Sequence, residues 1–184
     1  MASTERENIK LDIGSGGKSG DDSFIGVDAF AEGADVKAFM WDLPYEDESV
    51  DVIVSTQALE HISKFAVVPT LREWNRVLKD GGKLQLQVPD LEWACYHWLS
   101  HQTVDWDLDI IYGHQKHEGE YHKTGFTDKI LGMYIRVCGG WRVDKINYEG
   151  SDLQEAITGT VGISQRVINL EAYKDSSVPP QLLE

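Results

Sequence analysis

Over the first third of the chain, apolar side chains alternate or cluster in short runs, and each run stops at a polar or glycine-rich segment. Ile9, Leu11 and Ile13 alternate through 9–13 and end at Gly14, which predicts a strand stopped by a turn. The runs FIGVD (24–28), VKAFMW (36–41) and VDVIVS (50–55) are rich in β-branched and aromatic residues and predict three more strands. The period then changes. Val67, Leu71, Trp74 and Leu78 recur at spacings of four, three and four, with Arg72, Glu73, Arg76 and Lys79 on the other side. That spacing predicts a helix, closed by Gly81-Gly82. KLQLQVP (83–89) predicts a strand with Leu84, Leu86 and Val88 on one face and Gln85 and Gln87 on the other. TDKILGMYIRVC (127–138) predicts a second helix, with Thr127 as N-cap and Gly139-Gly140 beyond its end. Residues 141–148 and 165–173 read as late strands, and 176–184 as a flexible tail.

Strands alternating with helices predict an α/β fold with a mostly parallel sheet, formed as a single domain over 1–175. Ligands then bind outside the carboxyl ends of the strands. The links 14–23 and 29–35 hold ten and seven residues, whereas a helical crossover between parallel strands needs about a dozen. The early helices are therefore expected to be truncated or missing, leaving one flank of the sheet thinly covered. A second copy of the chain, making a homodimer, is one way to cover it.

Composition narrows the partners. With 17 Lys+Arg against 31 Asp+Glu, the 184 residues carry a formal charge of -14, which repels nucleic-acid backbones and anionic membrane surfaces. The chain starts MASTERENIK, without an apolar signal core, and holds no run of about 18 apolar residues. A cytoplasmic, soluble protein with a small-molecule partner is expected. Cys95 and Cys138 have no CxxC spacing and are read as free thiols.

Three acidic positions carry the candidate chemistry. Asp12 sits two positions before the turn Gly14-Ser15-Gly16-Gly17. A dinucleotide-binding turn would present a helix N-terminus to pyrophosphate, and here the space for a helix is missing. A triphosphate loop is met only in part by Gly17-Lys18-Ser19, because Asp12 stands where its first glycine belongs. A ligand bearing an ammonium and a sulfonium, as S-adenosylmethionine does, is the better electrostatic match. Asp28, at the end of the second strand, suits the two hydroxyls of a ribose. Asp42 and the backbone N–H of Leu43 suit an adenine edge, where N6 donates and N1 accepts.

Taken together, LDIGSGG, FIGVD, WDLPYEDESVDVIVSTQALEHI and LREWNRVLKDGGKLQLQVPDLEW resemble the class I S-adenosylmethionine-dependent methyltransferases over residues 9–93, with an echo in YHKTGFT. More narrowly, they are similar to small methyltransferases with a shortened first crossover, some associated with sugar or cell-surface metabolism. The resemblance implies a Rossmann-like seven-stranded sheet, mostly parallel with an antiparallel last strand. It also implies a methionine-end loop at Asp12, Gly14, Ser15 and Gly16, a ribose ligand at Asp28, and an adenine contact at Asp42 and Leu43. Thr56, Gln57 and His61 then lie near the methionine moiety and the transferable methyl. Lys18 departs from the family, which often has a third glycine there.

Methyl transfer from a sulfonium needs mainly positioning, so no catalytic residue is obligatory. Where an acceptor needs a base, His114 and His122 in the aromatic-rich segment 95–126 are the candidates, beside His117. The tyrosines and tryptophans there, Trp106 among them, suit either an acceptor pocket or a core cap. The expected function is methyl transfer to a small acceptor, a saccharide among the options. Two readings stand beside it: a non-catalytic cofactor-binding module, and a nicotinamide oxidoreductase. No metal is expected.

Overall fold

The computed structural model describes residues 8–101, 105–150 and 165–181, and the side chains of 101–107, which include Trp106, lie outside this description. Strands β1 (Lys10–Ile13), β2 (Ile25–Val27) and β3 (Val50–Thr56) come first, followed by helix α1 (Lys64–Val77) and strand β4 (Leu78–Pro89). Helices α2 (Leu91–His101), α3 (Asp105–Tyr112) and α4 (Asp128–Cys138) lead to strands β5 (Trp141–Glu149) and β6 (Val167–Lys174). The sheet order is β2-β1-β3-β4-β6-β5. β1 to β4 pair in parallel, and β6 runs antiparallel to both β4 and β5.

The α/β class and the antiparallel last strand are as expected, but the described sheet has six strands where seven were anticipated. The missing one is VKAFMW. Val36 makes a single bridge to Val27, and the chain then turns, with Asp42 N–H donating to the Phe39 carbonyl. Phe39 and Trp41 stack on each other at 4.8 Å and stay partly exposed, so their aromatic character serves a surface and not a pleat.

Helix α1 starts at its Ser63 cap, whose Oγ accepts from Phe65 N–H. It stops at Val77, earlier than the glycine pair implied, because Leu78 turns extended and pairs with Val50. Gly81 and Gly82 lie instead where the register between β3 and β4 jumps, next to the Lys79–Asp51 ion pair at 2.7 Å. Helix α4 follows the expected form, with Thr127 Oγ1 accepting from Ile130 N–H and Gly139 at φ 66°. Helices α2 and α3 were not anticipated. LEWACYHWLSH has no single apolar stripe, yet Asp90 Oδ1 caps α2 by accepting from Glu92 and Trp93. In the expected tail, Val178 O accepts from Gly140 N–H, and Gln181 N–H donates to Arg136 O. The rest of the expected tail, 182–184, lies outside the described residues.

The two faces of the sheet differ. Leu11, Ile53, Leu84 and Ala172 share one register row and are buried, in a core that α1 fills with Leu71 and Trp74 and α4 with Leu131 and Ile135. The neighbouring row, Asp12, Val54, Gln85 and Glu171, is only half-buried. No helix lies between β1 and β3 to cover it. That face satisfies its own polar groups, through Gln87 Nε2 to Asn169 Oδ1 at 2.9 Å and Lys83 to Glu171 at 2.6 Å.

A buried pair closes the opposite side. Arg166 Nε donates to Asp90 Oδ2 at 2.6 Å, joining the approach to β6 to the cap of α2, and both residues are buried. Arg166→Ala is expected to lower stability by about 3–5 kcal/mol, because it strands the Asp90 carboxylate in the interior. Lys83→Ala, at a more exposed pair, should cost under about 1 kcal/mol. Urea denaturation of both variants checks the contrast.

Candidate functional site

A cavity of about 920 Å³ opens beyond the carboxyl ends of β1, β2 and β3. Gly14 and Gly16 line it after β1, Asp28 to Ala31 after β2, and Gln57, Ala58, His61 and Ile62 after β3. Ala38 to Trp41 form another wall, and His117 to Glu120 with Lys123 form the rim.

The glycine turn is shaped by close approach. Gly14 N–H donates to Val27 O at 2.8 Å, and Gly14 sits at φ 75°. A Cβ there would lie 2.3 Å from that of Ala58. Gly16 N–H then donates to Asp28 Oδ2 at 3.0 Å, while Asp28 Oδ1 accepts from Phe30 and Ala31 N–H at 2.8 and 2.9 Å. Burial pushes the Asp28 carboxyl up, but the N–H groups of Ala31, Phe30 and Gly16, helped by Lys37, outweigh it and hold the pKa below its ordinary value. An ionised carboxylate is thus fixed at the cavity wall with lone-pair capacity left over.

Not every expected residue reaches this cavity. Asp12 lies on the open face of the sheet, where its carboxylate accepts from Ser19 Oγ at 2.9 Å. Ser15 turns its hydroxyl back onto Gly17 O. Thr56 is exposed at the end of β3, outside the cavity lining. Gln57 does line it, at φ 53°, with its side-chain Nε2 buried and without a hydrogen-bond partner.

The structure does not bring Asp42 and Leu43 to the cavity lining. Asp42 is exposed away from the cavity, and Leu43 N–H is already given to Glu73 Oε1 at 2.8 Å. Arg76 locks that carboxylate through Nε and Nη2 at 2.8 and 2.7 Å. Phe39, Met40 and Trp41 line the cavity in their place. The available signal was the pair of aromatics at 39 and 41, which the strand reading absorbed.

The two base candidates, His114 and His122, lie outside the main cavity lining. His114 is exposed, 3.3 Å from Asp109, and stands outside the cavity lining. His122 lies behind His61, its Nδ1 against Ile110 O at 2.8 Å and its Nε2 4.0 Å from Glu60 Oε1, and it is absent from the main cavity wall. Burial pushes both His61 and His122 below the ordinary imidazole range, against the raising effect of carbonyls next to each. Glu60, passed over in the sequence, is almost fully buried, and burial raises its carboxyl to about 8.

Known proteins supply the comparison. Residues 25–86 match the methyltransferase domain family. A protein of Encephalitozoon cuniculi (strain GB-M1), named as a candidate methyltransferase, is 38% identical over 96 residues, covering 45% of this chain and 46% of its own. The chain thus spans about half the length of that curated relative. A SAM-dependent methyltransferase from Methanosarcina mazei superposes with a TM-score of 0.61 at 16% identity, over 92% of this chain and 93% of that one. A candidate methyltransferase from Bacillus halodurans C-125 gives 0.61 at 14%, over 94% and 95%. Among the described residues, no helix is long and apolar enough to cross a membrane.

Two outcomes follow from this geometry. Gly14→Ala should destabilise the protein by about 1–3 kcal/mol, from the left-handed backbone and the clash with Ala58, as read by thermal unfolding. The Glu73 carboxyl is held below its ordinary value by the Arg76 hydrogen bond, with Leu43 N–H assisting, against burial and the Asp47 charge. Its stabilisation is present above the unfolded pKa and is lost as pH falls through the lower folded one. Between about pH 5 and pH 3, wild-type Tm should therefore fall more steeply than that of Glu73→Gln.

Proposed function

With the class I methyltransferase fold as its frame and a methyltransferase-domain segment at 25–86, we infer that the cavity binds S-adenosylmethionine and that the chain transfers its methyl group to a small acceptor. The observation that carries this reading is the ionised Asp28 carboxylate, anchored by three backbone N–H groups beside the glycine turn. It suits the two ribose hydroxyls, which donate to it. The turn Gly14-Ser15-Gly16 lets the amino-acid end of the cofactor approach backbone, with Asp12 acting indirectly by fixing Ser19. The unpaired Gln57 amide is a donor suited to the methionine carboxylate. Adenine fits against Phe30, Phe39 and Met40 in place of the Asp42-Leu43 pairing.

A dinucleotide suits the cavity less well. No helix follows the glycine turn before β3, so no helix N-terminus is there to receive a pyrophosphate. When bound, S-adenosylmethionine supplies a methyl group already activated on a positive sulfur. The residues of the chain then contribute binding, alignment and exclusion of water. A saccharide is the acceptor class that best suits the stacked Phe39 and Trp41 rings, which line the same cavity as His117, Glu118 and Lys123.

S-adenosylhomocysteine at about 100 times its Kd is expected to add about 2.7 kcal/mol of stability, read as a rise in Tm, with no rise for NAD. A rise with NAD alone would overturn the reading. Asp28→Ala should weaken S-adenosylhomocysteine by roughly 1.5–3 kcal/mol in calorimetric titration, the worth of a hydrogen bond to a charged group. Unchanged affinity would remove Asp28 from the ribose site. Binding without methyl transfer across a saccharide panel would favour a non-catalytic module.

A further inference from the structure

Behind the cavity wall, Glu60, His61 and His122 bring one ligand atom each to within 4.8 Å of one another. Glu60 is 1% exposed, and neither of its carboxylate oxygens has a hydrogen-bond partner. A carboxyl group left so is costly to bury unless something compensates it. The neighbouring donors Lys123 N–H and Thr124 N–H go to the Glu60 backbone carbonyl and not to its side chain.

Both imidazoles are held by backbone carbonyls. His122 Nδ1 lies 2.8 Å from Ile110 O, and His61 Nδ1 lies 3.3 Å from Tyr121 O. A carbonyl can only accept, so the Nδ1 of His122 carries the hydrogen and leaves its Nε2 lone pair on the side of Glu60 Oε1, 4.0 Å away, while the His61 ring has backbone partners at both Tyr121 and Gln57. Fixing one ring nitrogen on a backbone carbonyl is the usual support for a metal-bound histidine. The rings pack edge to face with centroids 4.8 Å apart. A void of about 10 Å³ abuts Glu60 and His122, close to the volume that one small ion or water occupies.

We propose that Glu60, His61 and His122 form a binding site for a divalent transition metal, zinc being the ion this donor set suits best. Two imidazole nitrogens and one carboxylate oxygen match zinc sites that leave a position open. With bonds near 2.0 Å, tetrahedral donors stand about 3.3 Å apart, so the three side chains draw inward by roughly an ångström when the ion enters. His61 also belongs to the wall of the main cavity, which makes the open position reachable from it. The ligand class for that position is a Lewis-basic oxygen, such as the hydroxyl of an acceptor. The ion site does not depend on the cofactor reading, since S-adenosylhomocysteine and zinc are titrated separately.

The test is titration of chelator-stripped protein with zinc against a chromophoric chelator, with cobalt as a spectroscopic stand-in. One zinc per chain is expected. Support-residue changes alone weaken metal sites 10- to 100-fold, so Glu60→Gln and His122→Ala should each weaken binding by at least about 100-fold. His114→Ala, at an exposed imidazole, should leave it unchanged. A visible cobalt band should appear with wild type and be lost in Glu60→Gln, with circular dichroism checking that the variant is folded. Wild-type protein that takes up no zinc at micromolar concentration would overturn the proposal, whatever the variants do. So would uptake that survives in Glu60→Gln and His122→Ala.

Discussion

The cavity depends on one carboxylate and the backbone that surrounds it. Asp28 ends β2, receives Gly16 N–H from the turn after β1, and receives Phe30 and Ala31 N–H from its own following turn. Two strand ends and two turns are thereby tied at one point. In longer α/β folds a crossover helix would share that task; here the link from β1 to β2 has no helix. The hydrogen bonds to an ionised acceptor are of the stronger kind. They fix the group that faces a ligand before any ligand arrives, which reduces the ordering cost of binding.

The same short links determine the distribution of polarity over the sheet. Without helices between β1 and β3, one face meets solvent, and its rows carry Asp12, Gln85, Gln87, Asn169 and Glu171. The other face is sealed by α1 and α4 over Leu11, Ile53 and Leu84. A fold thinned in this way keeps the strand ends that form the cavity while one face of its sheet stays open.

Much of this was legible in the sequence, for reasons that can be located. β1, β4 and α4 are each specified by local pattern: alternation before Gly14, alternation through KLQLQVP, and a Thr127 cap with Gly139 beyond. Asp28 is placed by its strand end, and Gln57 and His61, with Thr56, by the family resemblance. What was hidden depends on tertiary partners. Leu43 N–H is lost to Glu73, thirty residues later, and nothing local shows it. VKAFMW has strand composition, yet its aromatics stack at the cavity mouth. Helix α2 has apolar residues all round, which hides its period, and Glu60 looks like a surface acid until burial is known.

The most direct measurement is a crystal structure of the chain with S-adenosylhomocysteine. Density for the nucleoside in the cavity is expected, with both ribose hydroxyls on Asp28 and the homocysteine end running along Gly14-Ser15-Gly16 toward Gln57. Adenosine seated outside the cavity, or ribose hydroxyls turned away from Asp28, would contradict the assignment of this site.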